Sequence, residues 1–475
     1  MKREQLLDFI GLAPDEAVAD ANHIKRRILP AHKWLGGIAA VLVIALLFNM
    51  PAIPMIITAK AVSRASEPRI TERPKDVGSS AFDAWQEERT TRQTAADRAV
   101  PAVASFTSSC AAAVLTGSDD TNRIFSPINA YIALAMTAEL TAGDTQKQIL
   151  DALGSDSAEH LRTDITALWE QVYENDGNEI CVLANSLWLD RDVDYVAEPM
   201  EILAHDYYAS VYQGDLGSSR TNRDITNWMR DQTGGFLTKR TQNVSLAPED
   251  HLLTLVSTIY FRSKWSREFH AKNNTESMFH ANGGDVLCTF MNQKEAHMNY
   301  YWAEDWGAVQ LYLENGSSMW FILPDEDKTV DDILDDPAYM EMISQDEYAA
   351  DEGQNHRYMK VNLSVPQFDV KASADLKTAL QSMGLTDIFD PYRGDFSPSI
   401  ISDPDRPPYL DSIHQDVRVR IDEQGVAAAA YIELNFGAGA AAPPDEIIDF
   451  VLDRPFVFAV SKSSIPLFVG TVNHP

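Results

Sequence analysis

Side-chain catalysis needs particular residues at particular spacings, and this chain has the residues without the spacings. Its 11 histidines include no His-x-x-x-His pair that one helix face would turn toward a metal ion, so His251, His270 and His280 read as surface or hydrogen-bonded structural residues. Cys110, Cys181 and Cys288 lie too far apart for a zinc knuckle or a redox pair, which leaves them as buried small hydrophobes. Their odd number leaves at least one thiol free within the chain, and one bridge is possible. No Gly-x-Ser-x-Gly elbow is present, and Ser126 stands beside Pro127 at an expected buried helix start, a poor place for a nucleophile. No cofactor, no metal and no enzymatic activity are implied.

The chemistry that remains is that of a substrate. After Val417, Val419 and Ile421, which alternate with Arg418 and Arg420, the chain turns at Asp422-Glu423-Gln424 and runs from Gly425 to Gly437. Val426, Ala428, Ala430, Ile432, Leu434 and Phe436 are all apolar, whereas Tyr431, Glu433 and Asn435 fall between them. The period of two is that of a half-buried strand. Ala427 to Ala430 make it slim. Beyond it, Gly437 to Pro444 is a stretch of small residues, expected to be an exposed loop that a protease can reach. Taken by itself, an ordinary edge strand followed by a linker would look the same.

The elements around this segment change character along the chain. Ser126-Pro127 should cap a buried helix from Ile128 to Leu140, and Asp144 should cap a second one ending at Gly154. Later stretches are short and β-rich: Cys181 to Leu189, Leu252 to Phe261, Val309 to Leu313, Met319 to Leu323, Val361 to Phe368, Phe456 to Val460 and Leu467 to Val472. Several are apolar on both faces, so helices should cover the sheets on at least one side. The class is α+β, in one domain spanning residues 96–475.

Ahead of it lie an N-terminal segment (residues 1–33), an apolar segment (34–59) and an expected linker (60–95) rich in Ser, Pro and charge. As a helix, the 26 uncharged residues 34–59 would reach about 39 Å, enough to cross a hydrocarbon core of about 30 Å. Lys25, Arg26, Arg27 and Lys33 favour a cytoplasmic N-terminus, which makes the chain a single-pass cell-membrane protein with an extracellular domain. The rival is a signal cleaved near Ala61 with secretion of the rest. The 39 basic and 70 acidic residues give a net charge of -31, which repels nucleic acid and excludes it as a partner.

The run Glu423-Gln424-Gly425-Val426-Ala427-Ala428-Ala429-Ala430 resembles the reactive-loop hinge of the serpin family. Further matches fall in that family's order: Ile124-Phe125-Ser126-Pro127, Ala184-Asn185-Ser186-Leu187-Trp188, Ile225-Thr226-Asn227-Trp228, Ile259 to Trp265, Phe321 to Asp325, Val365 to Phe368, Asp395-Phe396-Ser397, Arg454-Pro455-Phe456 and Pro466 to Gly470. The resemblance implies helices on three β-sheets, an exposed reactive loop, a monomer, and a suicide inhibitor of serine proteases whose cut loop inserts into the central sheet. By the family's spacing from Glu423, the cut bond is Gly439-Ala440, with Ala438 and Ala441 as neighbouring candidates. Residues of that size suit an elastase-like pocket. The resemblance also places Ser126, Ser257 and His414 where the sheet opens, and Trp265 where the loop first enters it. Five features depart from the pattern: Ser257 replaces the common Asn, Asn129 replaces a second Ser, Val426 replaces Thr, Tyr431 interrupts the run of small residues, and His414 is one residue further from Gly425 than expected. A non-inhibitory carrier or chaperone of the same fold is the alternative, as is a mere protease substrate. A carrier or chaperone hinge would have charged residues or proline on its inward face, and this one has none.

Overall fold

The computed structural model describes residues 57–66, 79–117, 120–175, 179–235, 252–344, 355–401, 406–410, 413–426 and 446–475. The elements that matter for function are β1 (Lys60–Ser63), α1 (Ser80–Leu115), α2 (Pro127–Leu140), α3 (Gly143–Ala152), α4 (Ala158–Val172), β2 (Ile180–Asp190), α5 (Ala197–Asp206), β3 (Ala209–Gly214), α6 (Ser219–Gln232), β4 (Leu253–Lys264), β5 (Phe368–Asp375), β6 (His414–Asp422) and β7 (Gly425–Val426).

An eight-stranded sheet runs in the order β1-β3-β2-β4-β7-β6-β5, with Glu174–Asn175 added beside β2. A nine-stranded sheet holds Ile447–Val451, His356–Pro366, Gly284–Trp302, Trp306–Tyr312, Ser317–Pro324, Phe456–Lys462, Ile465–Val472 and Arg123–Phe125 in that order, with Thr275–Ala281 beside the third. Ile400–Ile401 and Asp194–Tyr195 form a separate pair. Each β-rich stretch picked out by its composition is a strand. Mixed sheets with helices against them bear out the α+β reading.

One face of the eight-stranded sheet rests on the main core, where α2 is buried along its whole length. The other face carries α6, whose Ile225, Trp228 and Met229 cover Ala184 and Trp188 of β2 and Val256 of β4. The alternation of β4 explains the split: Leu253, Leu255, Ile259 and Phe261 point to the core, and Val256 points to α6.

Three expectations are corrected. Residues 60–95 are not a linker where they are described, because 60–63 form β1 and 80–95 are the first four turns of α1. Those turns are stabilised by an Ser79 cap on the Phe82 N–H at 3.2 Å and by Arg92–Glu88 at 3.0 Å, not by an apolar stripe, so they show no hydrophobic period. The last residues of the apolar segment, Ile57 to Ala59, lie against α6 and β3 and belong to the domain. The second helix begins at Gly143 with Asp144 in its first turn, so Asp144 complements the helix dipole and is not the cap. By length and composition α1 could cross a membrane, yet its apolar half is core: Val103, Phe106, Cys110, Ala111 and Leu115 are buried.

Candidate functional site: the hinge and the seam of the central sheet

β6 and β7 form a tight hairpin. Val426 pairs with Ile421 and Gly425 with Asp422, and on its other side β7 pairs antiparallel with β4, Gly425 with Lys264 and Val426 with Ser263. Two residues of the expected strand are therefore already wedged between β4 and β6. Away from the wedge, β4 and β6 run parallel and share one bridge among the described residues, Gln415 to Ser257.

Gly425 is required by space. A Cβ there would come within 2.7 Å of Lys264 Cα and closer still to the Ser263 carbonyl oxygen. Val426 is buried among core residues.

Trp265, also buried, closes the top of the wedge. Its indole Nε1 donates to the Asp422 carbonyl at 2.8 Å, its backbone N–H donates to the Gln424 carbonyl at 3.1 Å, and its ring meets Phe269 edge-on at 5.7 Å. The Phe269 N–H donates to the Glu423 carbonyl at 3.0 Å, and Asn274 Nδ2 donates to Glu423 Oε1 at 2.6 Å. Every residue of the turn is held. Burial pushes the Asp422 carboxyl up, with Glu423 beside it adding to the shift against the Gln424 N–H and Arg420.

Lower in the seam, Gln415 Oε1 accepts from the Ser126 N–H at 2.7 Å and Nε2 donates to the Ser126 carbonyl at 2.8 Å. Ser126 occupies the N-cap position of α2, but its hydroxyl caps nothing. Ser126 Oγ, the Asn129 and Asn185 amides and Ser257 Oγ are buried without a hydrogen-bond partner among the described residues. Asn185 is directly opposite Ser257, and Ser257 opposite Gln415, so these polar groups share one stretch of seam. Such groups carry a desolvation cost in the closed sheet.

The structure thus places Ser126 and Ser257 along one seam, both next to Gln415, and Glu423, Gly425, Val426 and Trp265 in one wedge. The other residue named for this region is His414. That residue pairs with Asp375 at the end of β6, and the bolt to Ser126 is made by Gln415. The one-residue offset from Gly425 was the signal, since in a strand one residue changes the face. Ala427 to Ala430, Gly439 and Ala440 lie outside the described residues. Among the described residues, no group of three or more His, Cys, Asp or Glu side chains is placed to hold a metal ion. All three cysteines are unbridged, and burial pushes the thiols of Cys110 and Cys181 up to about 12.

A parallel two-stranded seam with an antiparallel wedge at its top, on a mixed sheet covered by helices, defines the class. Residues 101–475 match the serpin (serine protease inhibitor) family, and the chain belongs to it. It is 27% identical over 391 residues to the alpha-1-antitrypsin-like protein GS55-MS of Ictidomys tridecemlineatus, covering 80% of this chain and 90% of that one. It is 28% identical over 374 residues to plasminogen activator inhibitor 1 of Sus scrofa, covering 76% and 89%. Among solved structures, the thermophilic serpin Tengpin in its native state superposes with a TM-score of 0.70 at 24% identity, covering 88% of this chain and all of that one. Thyroxine-binding globulin in complex with thyroxine superposes at 0.66 with 21% identity, covering 78% and 99%. The fold is that of a serpin. Many serpins inhibit serine proteases.

Proposed function

We propose that the chain is a single-use inhibitor of serine proteases, not an enzyme, cut near Gly439-Ala440 and completed by insertion of residues 427 onward between β4 and β6. The observation that carries this reading is the register of the wedge. Continued without a shift, the pairing of Val426 with Ser263 and Ile421 sets Ala428 opposite Phe261 and Val419, Ala430 opposite Ile259 and Val417, and Ile432 between Ser257 and Gln415. Phe261, Val419, Ile259 and Val417 are buried and face the core. The apolar positions of the loop therefore meet the apolar face, and Tyr431 and Glu433 face the α6 side. Residues 425–439 as a strand span about 50 Å at roughly 3.3 Å per residue, enough to carry a tethered enzyme from one pole of the domain toward the other.

A protease dragged that far while esterified to the loop is pulled out of shape. Loss of one oxyanion donor alone removes about 3 kcal/mol of transition-state stabilisation, so deacylation stalls. Small residues at the cut favour an elastase-like target. Phe436 also offers a cut, but one too near the hinge for full insertion, so cleavage there yields only a substrate. Residues 34–56 remain long enough, at about 34 Å, to span a bilayer once Ile57 to Ala59 are assigned to the domain. On this reading the domain is extracellular and monomeric, and the membrane is a partner through that segment.

The test mixes the full chain in detergent micelles with a pancreatic-type elastase. A chain starting at residue 96 would lack β1 and four turns of α1, so it is a poor substitute. A denaturant-resistant adduct with a new N-terminus at Ala440, or within two residues of it, is the expected result. Complete cleavage without an adduct would replace the inhibitor reading with a non-inhibitory serpin.

A further inference from the structure

Residues 57–66 reach three separate elements around the central sheet. Asp224 of α6 is buried, and its Oδ2 accepts three hydrogen bonds from this segment: from Thr58 N at 3.0 Å, Thr58 Oγ1 at 2.6 Å and Ala59 N at 2.9 Å. Thr58 Oγ1 in turn accepts from Arg220 Nε at 2.8 Å. Ile57 and Ala59 pack beside Tyr212 against the cluster that joins α6 to β2 and β4. Lys60 to Ser63 then pair antiparallel with β3, Lys60 with Gln213 and Ala61 with Tyr212. Finally Ser63 Oγ donates to the Met200 carbonyl at 3.0 Å, the Ser66 N–H donates to the Ala204 carbonyl at 2.9 Å, and Ser66 Oγ meets His205 Nδ1 at 3.0 Å, which ties the segment to α5.

The contacts close a ring. α6 lies across β2 and β4, β2 pairs with β3, β3 pairs with β1, and the segment carrying β1 returns to α6 through Asp224. Any new strand between β4 and β6 must displace β4 and β2 by about 4.8 Å relative to β6, the spacing of one strand. Those strands then shear beneath α6. If α6 were held only by its apolar face it could shift or lift with little loss, but three bonds to a buried carboxylate fix it to the sheet's outer edge.

We propose that residues 57–66 are a latch that slows opening of the central sheet, and that the latch is continuous with the apolar N-terminal segment. The expected membrane segment, residues 34–59, runs into the latch at Ile57 to Ala59, with no spacer between them in the sequence. The latch rests on the insertion reading.

The experiment uses the full chain in micelles and the variants Thr58→Val, Asp224→Ala and Thr58→Ser. It reads the rate at which a synthetic peptide of residues 427–436 anneals into the intact chain, and the melting temperature of each chain before and after loop cleavage. Loss of the two hydrogen bonds of the Thr58 hydroxyl, one to Asp224 and one from Arg220, predicts annealing at least tenfold faster in Thr58→Val, with Asp224→Ala also faster than wild type, and Thr58→Ser at the wild-type rate because both hydroxyl bonds are kept. Wild-type rates in all three variants overturn the latch. Thr58 is at the edge of the domain, so Thr58→Val stands as the deciding variant if Asp224→Ala fails to fold. The insertion reading has its own failure: a cleaved wild-type chain that melts where the intact one does takes up no strand, whatever the variants do.

Discussion

The carboxamide of Gln415 grips both sides of Ser126, accepting from its N–H at 2.7 Å and donating to its carbonyl at 2.8 Å. This joins the first part of β6 to the start of α2 across the seam where the sheet must open. A carboxamide offers a donor and an acceptor in one rigid group, which a carboxylate or an imidazole in this position cannot present together in the same way. Gln415→Ala takes away the partner of the buried Ser126 N–H and one of two donors to the Ser126 carbonyl, which keeps the Ala130 N–H at 3.2 Å, and is expected to cost about 2 kcal/mol of stability, measured by urea unfolding of the full chain. Gln415→His keeps at most one of the bonds and should fall between. Equal stability of wild type and Gln415→Ala would remove Gln415 from the seam's support.

Ala428 is the position at which the insertion mechanism is most cleanly tested. Continued register places it against Phe261 and Val419, on the buried face, so Ala428→Arg puts a charge where the core must close. The expected outcome is unchanged cleavage by elastase with loss of nearly all adduct. Val426→Arg, which the sequence pattern alone would offer as an equal probe, is not one. Val426 is buried in the uncut protein, so its replacement disturbs the native hinge before any protease acts. An Ala428→Arg chain that still forms adduct at the wild-type yield would exclude insertion of this segment.

Most of the strands and the helix from Pro127 to Leu140 were legible because burial imposes a period or an unbroken apolar run on them. The hinge was legible for a related reason: Val417, Val419, Ile421 and Val426 alternate with residues that stay nearer solvent. β1 was not. Lys60 to Ser63 is four residues long and lies at a sheet edge, and what holds it is backbone pairing to β3 and the carboxylate of Asp224, 161 residues past Ser63, neither of which leaves a local pattern. The same is true of Gln415, whose role depends on which face of β6 it occupies and on a backbone group 289 residues away. The beginning of α1 was hidden because its turns are mostly polar and exposed, held by a cap and by the Arg92–Glu88 ion pair along the helix.

Gly425 and the backbone of β4 leave no room for a side chain between them. In Gly425→Ala, the added methyl meets the Ser263 carbonyl oxygen and Lys264 Cα, both backbone atoms that cannot turn aside. The strain of such overpacking is about 1–3 kcal/mol, and the wedge can escape it by leaving the sheet. The variant should therefore lose protection of the Gly425 and Val426 amides in hydrogen exchange while the rest of β4 stays protected. Its adduct yield should fall as cleavage overtakes insertion. Amide protection equal to wild type would mean that β4 moves aside more readily than its pairing with β2 suggests.

Glu179 stands at the start of β2, near the point where Val426 meets Ser263. Burial pushes its carboxyl up; hydrogen bonds from Ser263 and the Lys264 backbone oppose this, and Glu314 and Glu174 add to it. An acid whose folded value exceeds its unfolded one, about 4.3 for Glu, favours the folded state most below that unfolded value. That advantage is lost as pH rises through the folded value, because the charged form must then sit in a buried place. Glu179→Gln removes the titration. The two chains should differ least near pH 4, and the variant should gain stability relative to wild type as pH rises from there, reaching a constant margin once Glu179 is fully ionised. Urea unfolding across pH 4 to 8 would show this as two diverging curves, and curves that stay parallel would mean that Glu179 is as well solvated in the folded chain as in the unfolded one.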